Sequence, residues 1–148
     1  MHKRVFFVAT CVLILALNVG ALAQSQGIPY RMSDKDVERL MRRIKKDTDR
    51  FRKSLDAALD RSHFNGTSRE DDINAFVKDF DHETGRLHDR FKDHKSVSAD
   101  VETVLDRASR INRFMLRHEL SPKAQRDWSA VRTDLDQLAQ AYNVTWNW

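Results

Sequence analysis

The side chains with the most obvious chemical use are the histidines. Six occur, and His82-Glu83 with His88 falls in a stretch that otherwise reads as helix. A zinc-protease helix sets its two histidines four residues apart so that both reach one ion. Here the separation turns the second ring about 240° around the helix, so the two cannot share an ion. A di-iron bundle needs two inward-facing Glu-x-x-His pairs. This chain has no Glu-x-x-His, and its Asp79-x-x-His82 lies on a helix whose apolar residues are on another face. The histidines are therefore expected to face solvent and titrate there. Haem held between Met and His would draw on Met41 or Met115, both on apolar stripes, but no histidine lies in the last helix. His118 sits beside Glu119 at a helix end, and methionine as core filler is the expectation. Ser33, Ser68, Ser96, Ser98 and Ser121 stand at helix starts, where a hydroxyl caps free N–H groups. There is no Gly-x-Ser-x-Gly elbow and no phosphate-binding glycine loop. No residue is assigned a catalytic, cofactor-binding or metal-ligating role, and the chain is read as non-enzymatic.

Two features offer binding instead. The densest charge run is Arg39, Arg42, Arg43, Lys45, Lys46, Arg50, Arg52 and Lys53, broken by Asp47 and Asp49. Glu70, Asp71, Asp72, Asp79, Asp81 and Glu83 answer it in the next helix, so solvated faces with interhelical ion pairs are expected. The functional alternative is a basic face for lipid head groups or an acidic protein, with Arg42, Arg43, Lys46 and Arg50 as candidate partner contacts. Trp146 and Trp148 are the other candidates. Trp concentrates binding energy at interfaces, and the carboxylate after Trp148 suits a peptide-binding domain. Against this, the pair is expected to cover an open end of the fold.

These residues are positioned by four amphipathic helices. The clearest spans Ser121–Tyr142, where Trp128, Val131, Leu135, Leu138 and Tyr142 form one stripe and Arg126, Asp127, Arg132, Asp134 and Gln137 are left for water. Ser121 caps it and Pro122 takes the first helical position. Upstream, Ser33 caps a helix carried to about Ser62 by Val37, Leu40, Met41, Ile44, Phe51, Leu55, Ala58 and Leu59. Asn65-Gly66-Thr67 breaks it, and Thr67-Ser68-Arg69-Glu70 has the spacing of a capping box. The second stripe is Ile73, Val77, Phe80, Thr84, Leu87 and Phe91, a heptad pattern of coiled-coil type widened by Phe76 and interrupted by Gly85. Ser96 or Ser98 starts the third helix, with Val97, Val101, Val104, Leu105, Ala108, Ile111, Phe114 and Met115 inward. Ser54, Asn74 and Asn112 lie near the stripes and read as helix-boundary residues.

Short joins then give an all-α, antiparallel up-down-up-down four-helix bundle over residues 33–142, after an extended lead-in at 24–32 and before an aromatic tail at 143–148. That topology gathers Tyr30, Phe91, Val97, Tyr142, Trp146 and Trp148 at one end, with the tail folded back as a plug. Gly85, Ala108 and Thr84 would leave room for an apolar ligand inside the bundle if they met at one level.

Residues 1–23 place Lys3 and Arg4 before an apolar run and an Ala21-Leu22-Ala23 site, the pattern of a cleaved secretory signal peptide. The run is too short for a retained transmembrane anchor, and Thr10 before Cys11 is a poor lipoprotein context. Cleavage removes Cys11, the only cysteine, and with it disulfides, thiolate metal ligands and thiol catalysis. It also removes two basic and no acidic residues, so the net charge falls from +4 to +2, too little to single out nucleic acid as partner. Asn65-Gly66-Thr67 and Asn143-Val144-Thr145 match the glycosylation triplet, which matters only on a eukaryotic secretory route.

The segments YRMSDKDVERL, DRFRKSLDAALDRS, REDDINAFVKDF and LSPKAQRDWSAVRTDLDQLAQAYNV together resemble a group of small exported bacterial helical proteins with no assigned activity. The resemblance implies a periplasmic or secreted helical domain from a Gram-negative-type cell and brings no catalytic residues. Two functions are expected from the whole. The first is protein–protein contact, as scaffold, adaptor or holding chaperone, without a cofactor. The alternative is carriage of a small apolar ligand or haem within the bundle.

Overall fold

Serine and threonine set three of the four helix starts, because their hydroxyls meet N–H groups that the first turn leaves free. A computed structural model describes residues 32–148. These form four helices, α1 (Asp34–Leu59), α2 (Ser68–Lys92), α3 (Ser98–Arg117) and α4 (Pro122–Ala141), with no strand among the described residues. The signal-peptide segment and all of the lead-in except Met32, Tyr30 included, lie outside them. Ser33 accepts from the Asp36 N–H, Thr67 from Glu70 and Ser121 from Ala124. The capping box is modified: the Glu70 carboxylate accepts from the Gly66 N–H at 2.7 Å, one residue before the cap. Neither serine caps α3. Val97 occupies that position with no side-chain hydrogen bond, and α3 instead begins by burying Val97 itself.

Helix α1 ends at Leu59, short of Ser62, because Ser62 turns its hydroxyl to the Leu59 carbonyl and Asn65 donates to the Asp60 carbonyl. The ends of α2 and α4 carry a closing feature without glycine. His94 and Asn143 adopt left-handed backbone, at φ 56° and 52°. The Lys95 and Val144 N–H groups then reach back to the Arg90 and Ala139 carbonyls, the 6→1 bond of a Schellman stop.

The four stripes meet in one core. Trp128 of α4 is its hub: its ring lies 4.9 Å from Phe51 of α1 and 6.3 Å from Phe80 of α2, and its indole N–H donates to Asn112 of α3 at 3.0 Å. Helix α1 packs closely against α2 and α4, whereas α3 stands further from both its neighbours. Two consequences follow from that spacing. The tail lies beside α3 and α4, and an open groove runs between α2 and α3.

Candidate functional site

The basic run on α1 divides into two faces. On one, Arg43 donates through Nε to both carboxylate oxygens of Asp134 at 2.8 Å and through a terminal nitrogen to Gln137 at 3.1 Å. One turn-pair further on, Arg50 pairs with Asp47 and reaches Asp127 at 3.6 Å. These partners advance along α1 as they retreat along α4. The sequence expectation of water-facing Asp134 is therefore corrected: its side chain is 7% exposed against 45% for Arg43. The expected answer from α2 is also reduced, since α2 contributes Asp81 to Arg52 at 3.5 Å, while Glu83 turns to Arg86 and to Arg107 of α3. The hydrogen bond to Asp134 raises the Arg43 pKa. Burial works to raise the Asp127 carboxyl, but the hydrogen bond from Lys123 and the nearby charges of Lys123 and Arg50 hold it below the ordinary carboxylate value.

The other face looks outward. Lys35, Arg39, Arg42, Lys46 and Lys53 are all exposed and recur at helical spacing, giving a row about 27 Å long. Arg39, Arg42 and Lys53 pair only within α1, with Asp36, Glu38 and Asp49. Such exposed pairs hold their partners weakly. Of the four sequence candidates, Arg42 and Lys46 belong to this row, and Arg43 and Arg50 to the α1–α4 seam.

Trp146 and Trp148 fold back as expected, but along α4 instead of across the end. Trp148 donates its indole N–H to Asp136 at 2.8 Å, lies under the Arg132 guanidinium at 4.7 Å and meets the Trp128 ring edge-on at 6.0 Å. Trp146 sits 5.0 Å from Trp148 and lines a cleft with Ser98, Glu102 and Leu105 of α3. The Schellman stop at Asn143 is the reason: it reverses the chain sharply, so the next residues run beside the helix they have left. An end is instead covered by a residue the stripes did not include. Phe64, in the α1–α2 loop, is buried with its ring 4.0 Å from His63, 5.1 Å from His118 and 6.1 Å from Phe114, and with Arg69 stacked at 5.3 Å.

Further corrections concern polar residues. His88 is buried, not solvent-facing: it follows Thr84 by four residues and precedes Phe91 by three, which puts it on the edge of the α2 stripe. Ser54 and Asn112 lie inside α1 and α3, not at boundaries; Ser54 donates to the Phe51 carbonyl, and Asn112 serves Trp128. Asn74, also within α2, donates to Asp56 of α1 at 2.9 Å. Gly85 gives close approach, since a Cβ there would stand 3.3 Å from Cε of Lys45.

The groove between α2 and α3 is the feature that the sequence reading missed. It has a volume of about 330 Å³ and is lined by Ile73, Phe76, Val77, Ile111 and Phe114, with Arg69, Asp72 and Arg110 at its rim. The signal was present in Phe76, which widened the α2 stripe beyond what one neighbour can cover. Among the described residues, no group of three His, Cys, Asp or Glu is placed to hold a metal ion. No described helix is long and apolar enough to cross a membrane. Compared with protein-family models, curated proteins and solved structures, the chain matches none.

Proposed function

We propose that this chain is an exported, non-enzymatic binding protein: an up-down-up-down bundle, freed of residues 1–23, that works in the periplasm by contact with another protein. The opposite stepping of the Arg43–Asp134 and Arg50–Asp127 pairs supports the antiparallel topology. The observation that carries the function is the outward row on α1. Its cations are not consumed by neighbouring helices, so an acidic partner face can displace the weak pairs within α1 at little cost. Helix α1 is also held on both flanks by α2 and α4, which gives the row a rigid support.

The test is native mass spectrometry of the protein purified from its own periplasmic extract, with an Arg42→Glu/Lys46→Glu variant alongside. A stoichiometric protein partner lost in the variant and at high salt is the expected result. A partner retained by the variant refutes this surface. A bare monomer under all conditions refutes the contact reading. A second reading, carriage of a small apolar ligand, is favoured by the α2–α3 groove, and a bound small-molecule mass would support it.

A further inference from the structure

The carriage reading can be sharpened to a ligand class. From the chemistry of the α2–α3 groove we infer that it binds a free, single-chain carboxylate amphiphile: a medium-chain fatty acid with its acyl chain against Ile73, Phe76, Val77, Ile111 and Phe114 and its head at the Arg69 end. The inference rests on the carriage reading and commits it to one kind of molecule.

Three observations converge on it. The apolar lining is continuous along α2 from Ile73 to Val77 and along α3 from Ile111 to Phe114, and the groove from Arg69 to Val77 is about 12 Å long, the reach of a medium acyl chain. Its walls are half-buried phenylalanine and isoleucine side chains already packed on the core, so the surface is preformed and needs no opening of the bundle. The charge is also unequal along its length. At the inner end Arg110 is engaged by Asp106 at 3.1 Å. At the outer end Arg69 makes no ion pair among the described residues, lies over Phe64, and shares that end with Arg117, His63 and His118. Burial lowers the His118 pKa most, and the nearby charges of Arg69, His63 and Arg117 add to the effect. Asp72 is the one acid lining the groove. Phe114 joins the two parts: it lines the groove and also contacts Phe64 and His118. A guanidinium that stacks on an aromatic ring keeps its N–H edge available for a carboxylate.

The experiment titrates the delipidated protein with sodium decanoate and, separately, with 1-decanol, by calorimetry below the aggregation limit of each. Amide NMR shifts locate the site. One decanoate per chain is expected, bound more tightly than decanol, with shifts concentrated in 69–77 and 110–118. Arg69→Gln should weaken decanoate about fivefold, the scale of an exposed charge pair, and leave decanol unchanged. Phe76→Gln should weaken both; if that variant unfolds, Ile73→Ser takes its place. Decanol binding as tightly as decanoate, or indifference to Arg69→Gln, overturns the carboxylate assignment and leaves the carriage reading standing. Failure of both ligands to bind overturns both. Association with anionic phosphatidylglycerol vesicles but not with monomeric decanoate also overturns the proposal, in favour of a membrane surface.

Discussion

The Trp128–Asn112 hydrogen bond offers the sharpest test of how this core is held. Trp128 is 2% exposed and Asn112 is 1% exposed, so neither partner can turn to water if the other is removed. Trp128→Phe keeps an aromatic ring for Phe51 and Phe80 but deletes the donor. It leaves the Asn112 oxygen buried and unmet, at a cost of about 1–3 kcal/mol. The smaller ring forfeits roughly 1 kcal/mol more of apolar burial. Asn112→Leu strands the indole N–H instead, at a similar cost, but added apolar burial of about 1–2 kcal/mol offsets it. The double variant has no orphan on either side. Its loss should therefore fall to about 0–1 kcal/mol, below Trp128→Phe alone, with a coupling of at least roughly 1 kcal/mol in the cycle. Urea titration followed by far-ultraviolet circular dichroism measures all four proteins, and an unchanged slope certifies that the same surface is exposed in each. If the double variant loses the sum of the single losses, the hydrogen bond is not what couples α3 to α4.

Three other outcomes follow from the same geometry. Arg43→Ala should destabilise more than Asp134→Ala, by about 1–2 kcal/mol in urea midpoints, because the first strands a buried carboxylate and the second leaves a half-exposed guanidinium free to hydrate; equal losses would refute this. Trp148→Ala should cost about 1–2 kcal/mol, for its bonds to Asp136, Arg132 and Trp128, and should shift the fluorescence of Trp128 to the red as water reaches it; unchanged emission would place the tail elsewhere. Burial and the neighbouring positive charges lower the His118 pKa from 6.5, so the unfolded chain binds the proton more readily. Stability contributed by neutral His118 is present above about pH 6.5 and is lost as pH falls through the lowered folded value. His118→Phe, which suits the Phe64–Phe114 cluster, should flatten this part of the profile, and parallel losses in both proteins would refute the assignment.

How much of this was legible in the sequence depends on what each signal encodes. Apolar spacing records only which face is buried, and it placed Trp128, Val131, Leu135 and Leu138; hydroxyl residues marked three of the four helix caps, and Ser98, one of the two expected starts of α3, is its first residue, because caps and stripes are local. Asp134 stands three residues after Val131 and four before Leu138, so spacing alone sets it on the same stripe. A carboxylate is ordinarily read as solvated, and what overrides that here is Arg43, 91 residues away. No local pattern announces such a pair. His88 was misplaced for the same reason: its position in the α2 stripe was readable, but its residue type argued against it.

The tail shows the complementary limit. Nothing in Asn143-Val144-Thr145-Trp146-Asn147-Trp148 specifies its partner, but Asn143 tolerates the left-handed backbone that closes α4, and that single conformation sends Trp148 back to Asp136, Arg132 and Trp128. Its direction is thus a local property, while its resting place depends on α3 standing away from α4 and leaving room beside them. The α2–α3 groove has the same origin. A helix held close on α1 can bury one stripe fully, but Phe76, Ile73 and Phe114 lie at the margin of stripes whose neighbours are too far apart to close over them. Sites on this fold arise where interhelical distance exceeds the reach of the side chains, and that distance is a property of the assembled bundle, not of any one helix.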